Sequence, residues 1–396
     1  MTITPTMAPT HSADRAIYTV TAVMSGVLYL VLLIAPILAV KLAVDLGFSE
    51  GQTGTVFSFE LGAFGLATIP SYLWLRRVNI RTAMFGFGAV VIFANVLSGF
   101  ITDFGPFVAI RVVAAAAAGS LTVIILGIGG KASDPARAFG LFILAQCITG
   151  AIVLFFFPLI FNDLPVGALY LTMAGLVFVV LPVARMLDGN LLKRQAADKN
   201  DAEKAAAPRD TPRFIAGLAA VFFLFASASG LWAFFGIFAE AAGISLDEIG
   251  FSLSVATILG IAAPLTVTIV GDRPRIRPYV IAGFLLMLVS IGLLFGLGSV
   301  LVFAISATLL NLGWNFLPAY LFSAINRTSG ASPHALSTTN LLVGLGFSIG
   351  PLTAGLLLES TGVNSLLTTA AISLALGLAS TTFALSDKPK RITPQF

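Results

Sequence analysis

Gly47-Phe-Ser49-Glu50-Gly51-Gln-Thr-Gly54-Thr-Val-Phe-Ser58-Phe-Glu60-Leu-Gly-Ala-Phe-Gly-Leu-Ala67-Thr-Ile-Pro70-Ser-Tyr-Leu-Trp-Leu-Arg76-Arg77-Val-Asn-Ile80-Arg81 occurs twice in this chain. Moved along by 196 residues, Gly47, Ser49, Gly54, Ser58, Ala67, Arg77, Ile80 and Arg81 fall on Gly243, Ser245, Gly250, Ser254, Ala263, Arg273, Ile276 and Arg277. Each copy reads as a polar turn, an apolar span of helical length and a basic loop. That is a membrane helix with its cytoplasmic exit. An offset of about half the chain implies two homologous halves. The mid-span charge of the first copy, Glu60, is not among the repeated residues: its counterpart is Ala256.

The composition agrees. Of 396 residues, 58% are hydrophobic and 10% charged, and the mean hydropathy is +1.00. A soluble domain carries roughly 25% charged residues, so lipid is the expected surrounding. The net charge of +4 is no nucleic-acid signature, because the basic residues gather in loops on one side. The single cysteine, Cys147, forms no internal disulfide and lies in an apolar span, where it reads as a small buried residue. The tail Met1–Asp14 is polar, and the first apolar run is too long for a signal peptide.

A span needs about 20 apolar residues, and twelve candidates follow: 18–40, 51–75, 82–101, 107–130, 138–161 and 166–185, then 214–240, 249–270, 279–299, 301–322, 336–358 and 365–386. The expected organisation is a cytoplasmic tail (1–15), a six-helix bundle (16–185), a mixed-charge cytoplasmic linker (186–212), a second six-helix bundle (213–386) and a cytoplasmic tail (387–396). With the N-terminus inside, 20 of the 22 Lys and Arg residues lie in cytoplasmic segments, as the positive-inside rule requires. Lys41 and Arg111 are left over. The outer loops are acidic, with Asp45, Glu50, Asp103, Asp163, Glu240, Asp247, Glu248 and Glu359. A multi-pass protein of the cytoplasmic membrane is expected, with both termini cytoplasmic.

Twelve spans in two sixes, a charged central loop and short basic loops after spans two and eight resemble the major facilitator superfamily. The loop Leu75-Arg76-Arg77-Val-Asn-Ile-Arg81 keeps the family's basic residues without its acid and glycine, whereas Gly271-Asp272-Arg273-Pro-Arg275-Ile-Arg277 keeps the acid–base pair. Arg111, Ala115 and Gly119 match the family's fourth span, and Lys131 to Gly140 its loop into span five. Gly346, Gly350, Pro351 and Gly355 give span eleven a small-residue face that permits close helix approach. The family's Gly-Pro motif of drug–proton antiporters is not seen in span five. The resemblance implies an all-α membrane protein of twelve helices in two pseudo-symmetric bundles. It also implies gating roles for Arg77, Arg81, Asp272, Arg273 and Arg277, and a cavity lined by spans one, four, seven and ten.

An ionisable side chain within the bilayer is a functional candidate, and the spans contain two, Glu60 and Arg111. At 1.5 Å per residue, Glu60 lies about 13 Å and Arg111 about 7 Å below the outer ends of their helices, so a pair is open to them. Three readings follow. Glu60 carries a proton; Arg111 holds a substrate carboxylate or phosphate with its forked guanidinium; or the two form a static pair that fixes packing. Tyr29, Gln146, Trp232, Asn311, Trp314, Asn315 and Asn340 are candidate substrate-binding residues, as are other polar residues within spans, Asn95 and Tyr320 among them. Each is equally open to a packing role. Asn311 and Asn315, four apart, share a helix face.

No metal-ligand spacing, nucleotide loop or catalytic triad is present in the sequence, so neither enzyme nor cofactor is expected. The expected protein is a monomeric secondary transporter of a small organic solute, with an organic anion or an amphipathic aromatic compound favoured. It is expected to be proton-coupled and to work by alternating access. Multidrug or sugar efflux is the nearest alternative. A receptor or sensor on the same scaffold is an alternative of another class.

Overall fold

The computed structural model describes residues 11–75, 77–193, 211–270, 276–329 and 333–386. The repeated stretch explains how the halves are built. Gly47 and Gly243 adopt positive φ (66° and 79°), the left-handed conformation that ends a helix. Two residues on, Ser49 and Ser245 each cap the next helix through a capping box, with Gln52 and Glu248 as partners. The repeated Gly and Ser matches are thus the stop and start signals of equivalent turns.

Among the described residues, twelve helical rods result once the single-residue breaks at Tyr29, Ile34, Ala67 and Ile261 are bridged, whereas Gly362, with a φ of 83°, is the turn between the last two rods. Rod α1 comprises His11–Leu28, Leu30–Leu33 and Ala35–Leu46; α2 comprises Glu50–Leu66 and Thr68–Trp74. Then come α3 (Ile80–Ser98), α4 (Phe104–Gly129), α5 (Pro135–Phe161) and α6 (Val166–Val180, continued by the 3₁₀ turn Leu181–Met186). The second half holds α7 (Thr211–Ala241), α8 (Leu246–Gly260 and Ala262–Val270), α9 (Arg277–Leu294), α10 (Val300–Ser329), α11 (Pro333–Thr361) and α12 (Val363–Ala384). Ten of these rods, α3 to α12, contain a stretch long and apolar enough to cross a membrane. The other two, α1 and α2, are broken rods, as is α8. The sequence places the first span at 18–40, whereas the helix runs from His11 to Leu46, because its polar first turns continue the same rod.

Proline accounts for three of the four breaks, all but the one at Tyr29. It has no N–H to offer the carbonyl four residues back, and its ring crowds that carbonyl. Pro36, Pro70 and Pro264 stand four residues after Leu32, Leu66 and Gly260, and the chain breaks at Ile34, Ala67 and Ile261. Pro158, Pro318 and Pro351 lie inside unbroken helices.

Packing within the halves is the same. In the first half α1 packs on α4, α5 and α6, α2 on α4, and α3 on α4 and α6. In the second half α7 packs on α10, α11 and α12, α8 on α10, and α9 on α10 and α12. The halves meet along α2–α11, its equivalent α5–α8, and α1–α7. The repeated glycines lie on these seams. A Cβ on Gly54 would run into the Pro351 carbonyl and Gly355, and one on Gly250 into the Leu154 carbonyl and Pro158. The repeated serines also bridge the halves: Ser58 Oγ lies 3.3 Å from Ser348 Oγ, and Ser254 Oγ donates to the Ala151 carbonyl at 2.8 Å.

All three seams lie toward the acidic-loop ends of the rods. The α2–α11 seam begins where Gly51 N–H donates to Glu359 Oε2 at 2.9 Å, at the start of α2 and the end of α11. At the α1–α7 seam, Gly236 faces the Pro36 carbonyl with no room for a side chain. Large apolar side chains such as Phe93, Phe100, Phe178 and Val179 face outward, as a lipid-solvated bundle requires. Leu187 and Leu192 are buried in the first half's core, so that core extends beyond residue 185 into the start of the stretch read as linker. Residues 194–210, the rest of that stretch apart from 211 and 212, lie outside the described residues.

Candidate functional site

The two intramembrane charges meet. Glu60 and Arg111 are 4% and 3% exposed. Arg111 Nε donates to Glu60 Oε1 at 3.1 Å, and Nη2 pairs with the same oxygen. On the other prong, Nη1 donates to Asn95 Oδ1 at 2.7 Å and to Ser98 Oγ at 3.3 Å. The guanidinium carbon lies 4.6 Å from the centre of the Tyr170 ring, a cation–π contact. Four rods converge here: α2 brings the acid, α4 the base, α3 the amide and hydroxyl, and α6 the ring.

The arrangement is lopsided. Glu60 Oε1 takes both contacts from Arg111, while Oε2 is buried with no hydrogen-bond partner. The unsatisfied oxygen belongs to a side chain that lines a cavity of about 650 Å³. That size lies within the roughly 300–1,000 Å³ of small-molecule sites. From Glu60, Asn95 and Arg111 the cavity runs along the first half past Tyr29 and Phe64 to Leu75, Leu126 and Gly127, at the basic-loop ends of α2 and α4. The far wall is α11, through Asn340, Val343, Gly344 and Phe347. Tyr29 packs edge-on against Phe64, with ring centres 5.0 Å apart.

A second, smaller cavity of about 110 Å³ holds Gln146, Trp232, Asn311, Trp314 and Asn315. The sequence-derived binding residues are therefore divided: Tyr29, Asn95, Asn340 and Arg111 line the large cavity, Gln146, Trp232, Asn311, Trp314 and Asn315 the small one, and Tyr320 lines neither. Of the residues read as gating, Arg81 is tied to the Leu187 carbonyl by Nε at 3.1 Å and by Nη2, within its own half. The Ile80 N–H also bonds the Gly189 carbonyl at 2.8 Å, so this loop is docked against the chain that follows α6. Arg77 lies in the turn after α2, and Arg277 is the exposed first residue of α9. Asp272 and Arg273 lie outside the described residues.

The family's sequence profile, described as Major Facilitator Superfamily, matches residues 17–331. The chain belongs to the major facilitator superfamily. No curated protein sequence matches it. Among solved structures, the nucleoside transporter NupG superposes with a TM-score of 0.69 at 15% identity, covering 95% of this chain and 99% of that one. A mutant of the peptide transporter POT, in complex with sulfate, superposes with a TM-score of 0.73 at 15% identity, covering 93% and 94%. At these identities the likeness shows the fold alone. Membership of the major facilitator superfamily makes the protein a multi-pass membrane transporter of small molecules rather than an enzyme.

Sequence reasoning named Glu60 and Arg111 but missed Ser98 and Tyr170 and did not link Asn95 to Arg111. One signal was present. Asn95 and Ser98 are three apart and so share a face of α3, and a polar face on an apolar helix marks a buried polar partner. Tyr170 carries no such signal, since a tyrosine near the end of a span also reads as an interfacial anchor.

Proposed function

We propose that this transporter couples the movement of an organic solute to protons through Glu60. The observation that carries the reading is the unpartnered, buried Oε2 of Glu60, a residue that lines the large cavity. A buried acceptor without a partner costs about 1–3 kcal/mol, and more when it is charged. A proton arriving on that oxygen removes the charge and weakens the hold of Arg111. Asn95, Ser98 and the Tyr170 ring then keep the guanidinium in place while the carboxyl is neutral. Proton and guanidinium thus compete for one carboxylate, and a shift of α2 relative to α4 biases the contest.

Arg111 is poorly disposed to hold a substrate anion in this state. Its fork is turned onto Glu60, Asn95 and Ser98, and its face onto Tyr170. The aromatic wall of Tyr29, Phe64 and Phe347 favours the other finer reading, an amphipathic ring-bearing solute. The static-pair reading draws on the same four-sided enclosure of Arg111, and the two differ in one measurement. Proteoliposomes are assayed with uridine, an uncharged ring-bearing solute, and with benzoate, an organic anion, each with and without an imposed pH gradient. Uridine accumulation driven by the gradient is expected. Glu60→Gln is expected to abolish that drive while preserving counterflow exchange, which needs alternating access but no net proton movement. An unchanged response of Glu60→Gln to the gradient overturns the proton-carrier reading.

A further inference from the structure

The smaller cavity differs from the large one in chemistry. Its lining contains no Asp, Glu, Lys, Arg or His. An ionised group placed there would be buried without a counter-charge, at prohibitive cost. The Thr257 hydroxyl in the lining donates to the Leu253 carbonyl of its own helix at 2.8 Å, and the asparagine amides are held in a definite sense. Asn311 Nδ2 donates to the Ala307 carbonyl at 3.2 Å, and Asn315 Nδ2 to the Asn311 carbonyl at 2.9 Å. Each asparagine thus spends one of its two N–H groups on its own helix, which fixes the sense of the amide and leaves its oxygen as an acceptor available to a ligand. Across from them Gln146 Nε2 is buried without any partner. One donor from α5, in the first half, therefore meets two acceptors from α10, in the second.

The wall between the two cavities is the four-residue segment Leu30–Leu33 of α1. Leu32 lines both cavities, Tyr29 to Val31 the large one, and Leu33 the small one. The breaks at Tyr29 and Ile34 set this segment apart, and its position is fixed from the other half. Pro36 has no N–H for the Leu32 carbonyl, and Trp232 Nε1 of α7 donates to it at 2.8 Å. Trp232 and Trp314 also provide flat apolar walls to the small cavity.

We infer that the small cavity is a recognition site for an uncharged group that both accepts and donates hydrogen bonds, such as an amide or the lactam edge of a heterocycle. The ligand carbonyl accepts from Gln146 Nε2, and its N–H donates to Asn311 or Asn315. A cavity of about 110 Å³ holds such a group of a few heavy atoms, since water itself takes up about 30 Å³. Because the contacts come from both halves, a bound amide joins them across the α1 wall from the Glu60 site. This inference rests on the transport reading for its role in solute recognition. Binding itself is measured without any gradient.

The chain's only cysteine lines this cavity, so the native protein carries its own reporter. Alkylation of Cys147 by N-ethylmaleimide is followed in the full-length purified protein with benzamide or its isosteric anion benzoate. Benzamide is expected to slow alkylation and raise the melting temperature, and benzoate to do neither. Asn311→Leu and Gln146→Leu each remove one hydrogen bond from opposite halves. Each is expected to raise the half-protecting concentration of benzamide about tenfold, as a lost hydrogen bond of ordinary strength predicts. Equal protection by benzoate, no effect of benzamide on either readout (water only in the cavity), or protection indifferent to both variants overturns the assignment. If Glu60→Gln leaves gradient-driven uptake unchanged while benzamide still protects, the coupling reading fails and the site stands. The converse result removes the site alone.

Discussion

Replacing Gly54 with alanine tests whether the close approach of α2 and α11 holds one state of the transporter. The new Cβ would lie 3.0 Å from Gly355 Cα and 3.3 Å from Gly355 N, and closer still to the Pro351 carbonyl oxygen. All three are backbone atoms of α11, so no side chain can turn aside. In an isolated helix the change favours folding by about 1 kcal/mol, so α2 itself gains. The penalty falls on the packed seam, and overpacking of this kind costs about 1–3 kcal/mol. That corresponds to about a 5- to 150-fold larger share of molecules with the seam parted. Gly62→Ala is the contrast. Its Cβ would meet Ser348 Oγ at 2.8 Å, which can rotate away, and Ser348 Cβ at 3.2 Å, a milder contact than those at Gly54, so a smaller shift is expected. The reporter is Ser58→Cys in a Cys147→Ser background, because Ser58 is 4% exposed within the seam. Maleimide labelling of this cysteine is expected to accelerate in Gly54→Ala by the factor above, with little change in melting temperature. Unchanged labelling in a folded Gly54→Ala protein refutes the claim that the seam holds this state closed.

Trp232→Phe removes the indole hydrogen bond to the Leu32 carbonyl, which keeps a backbone N–H at the cap of its segment, and a loss of about 0.5–1.5 kcal/mol in unfolding free energy is expected; an equal loss from Trp314→Phe would show that ring volume, not the hydrogen bond, is responsible. Asn95→Leu removes the 2.7 Å hydrogen bond to Arg111, a charge-assisted bond of about 1.5–3 kcal/mol. It is expected to alter the pH profile of uptake as well as stability, and a fall in stability with an unmoved profile would assign Asn95 to packing alone. A cysteine at Asn162 is expected to react with an impermeant reagent applied to intact cells and one at Ala205 is not, as the basic loops demand; labelling at Ala205 would reverse the orientation.

The elements were legible in the sequence because membrane insertion and helix termination are decided locally. Each residue's transfer free energy adds along a span, and each glycine or capping serine acts on its own turn. Hydropathy, loop charge and the repeat therefore led to an all-α membrane protein of two six-helix halves. The same logic singled out Glu60 and Arg111, since any charge within an apolar span stands out. The extent of α1 was misjudged for a local reason too: its polar beginning reads as tail, yet it continues the rod.

What the tertiary structure decided is which groups meet. Arg111 draws its partners from α2, α3 and α6, at sequence separations of 51, 16 and 13 residues for Glu60, Asn95 and Ser98, and no linear pattern encodes those meetings. The polar candidates formed one class in the sequence and two in space, a charged cavity and a neutral one divided by Leu30–Leu33. That division depends on the Leu32 carbonyl, freed by Pro36 nearby in sequence and taken by Trp232 from 200 residues away. The repeat shows the difference most directly. The sequence by itself determined that Gly54 and Gly250 are equivalent. Only the packing of α2 on α11 and of α5 on α8 decided that both are glycine, because backbone of the opposite half, joined at Gly250 by the Pro158 ring, occupies the space of a side chain.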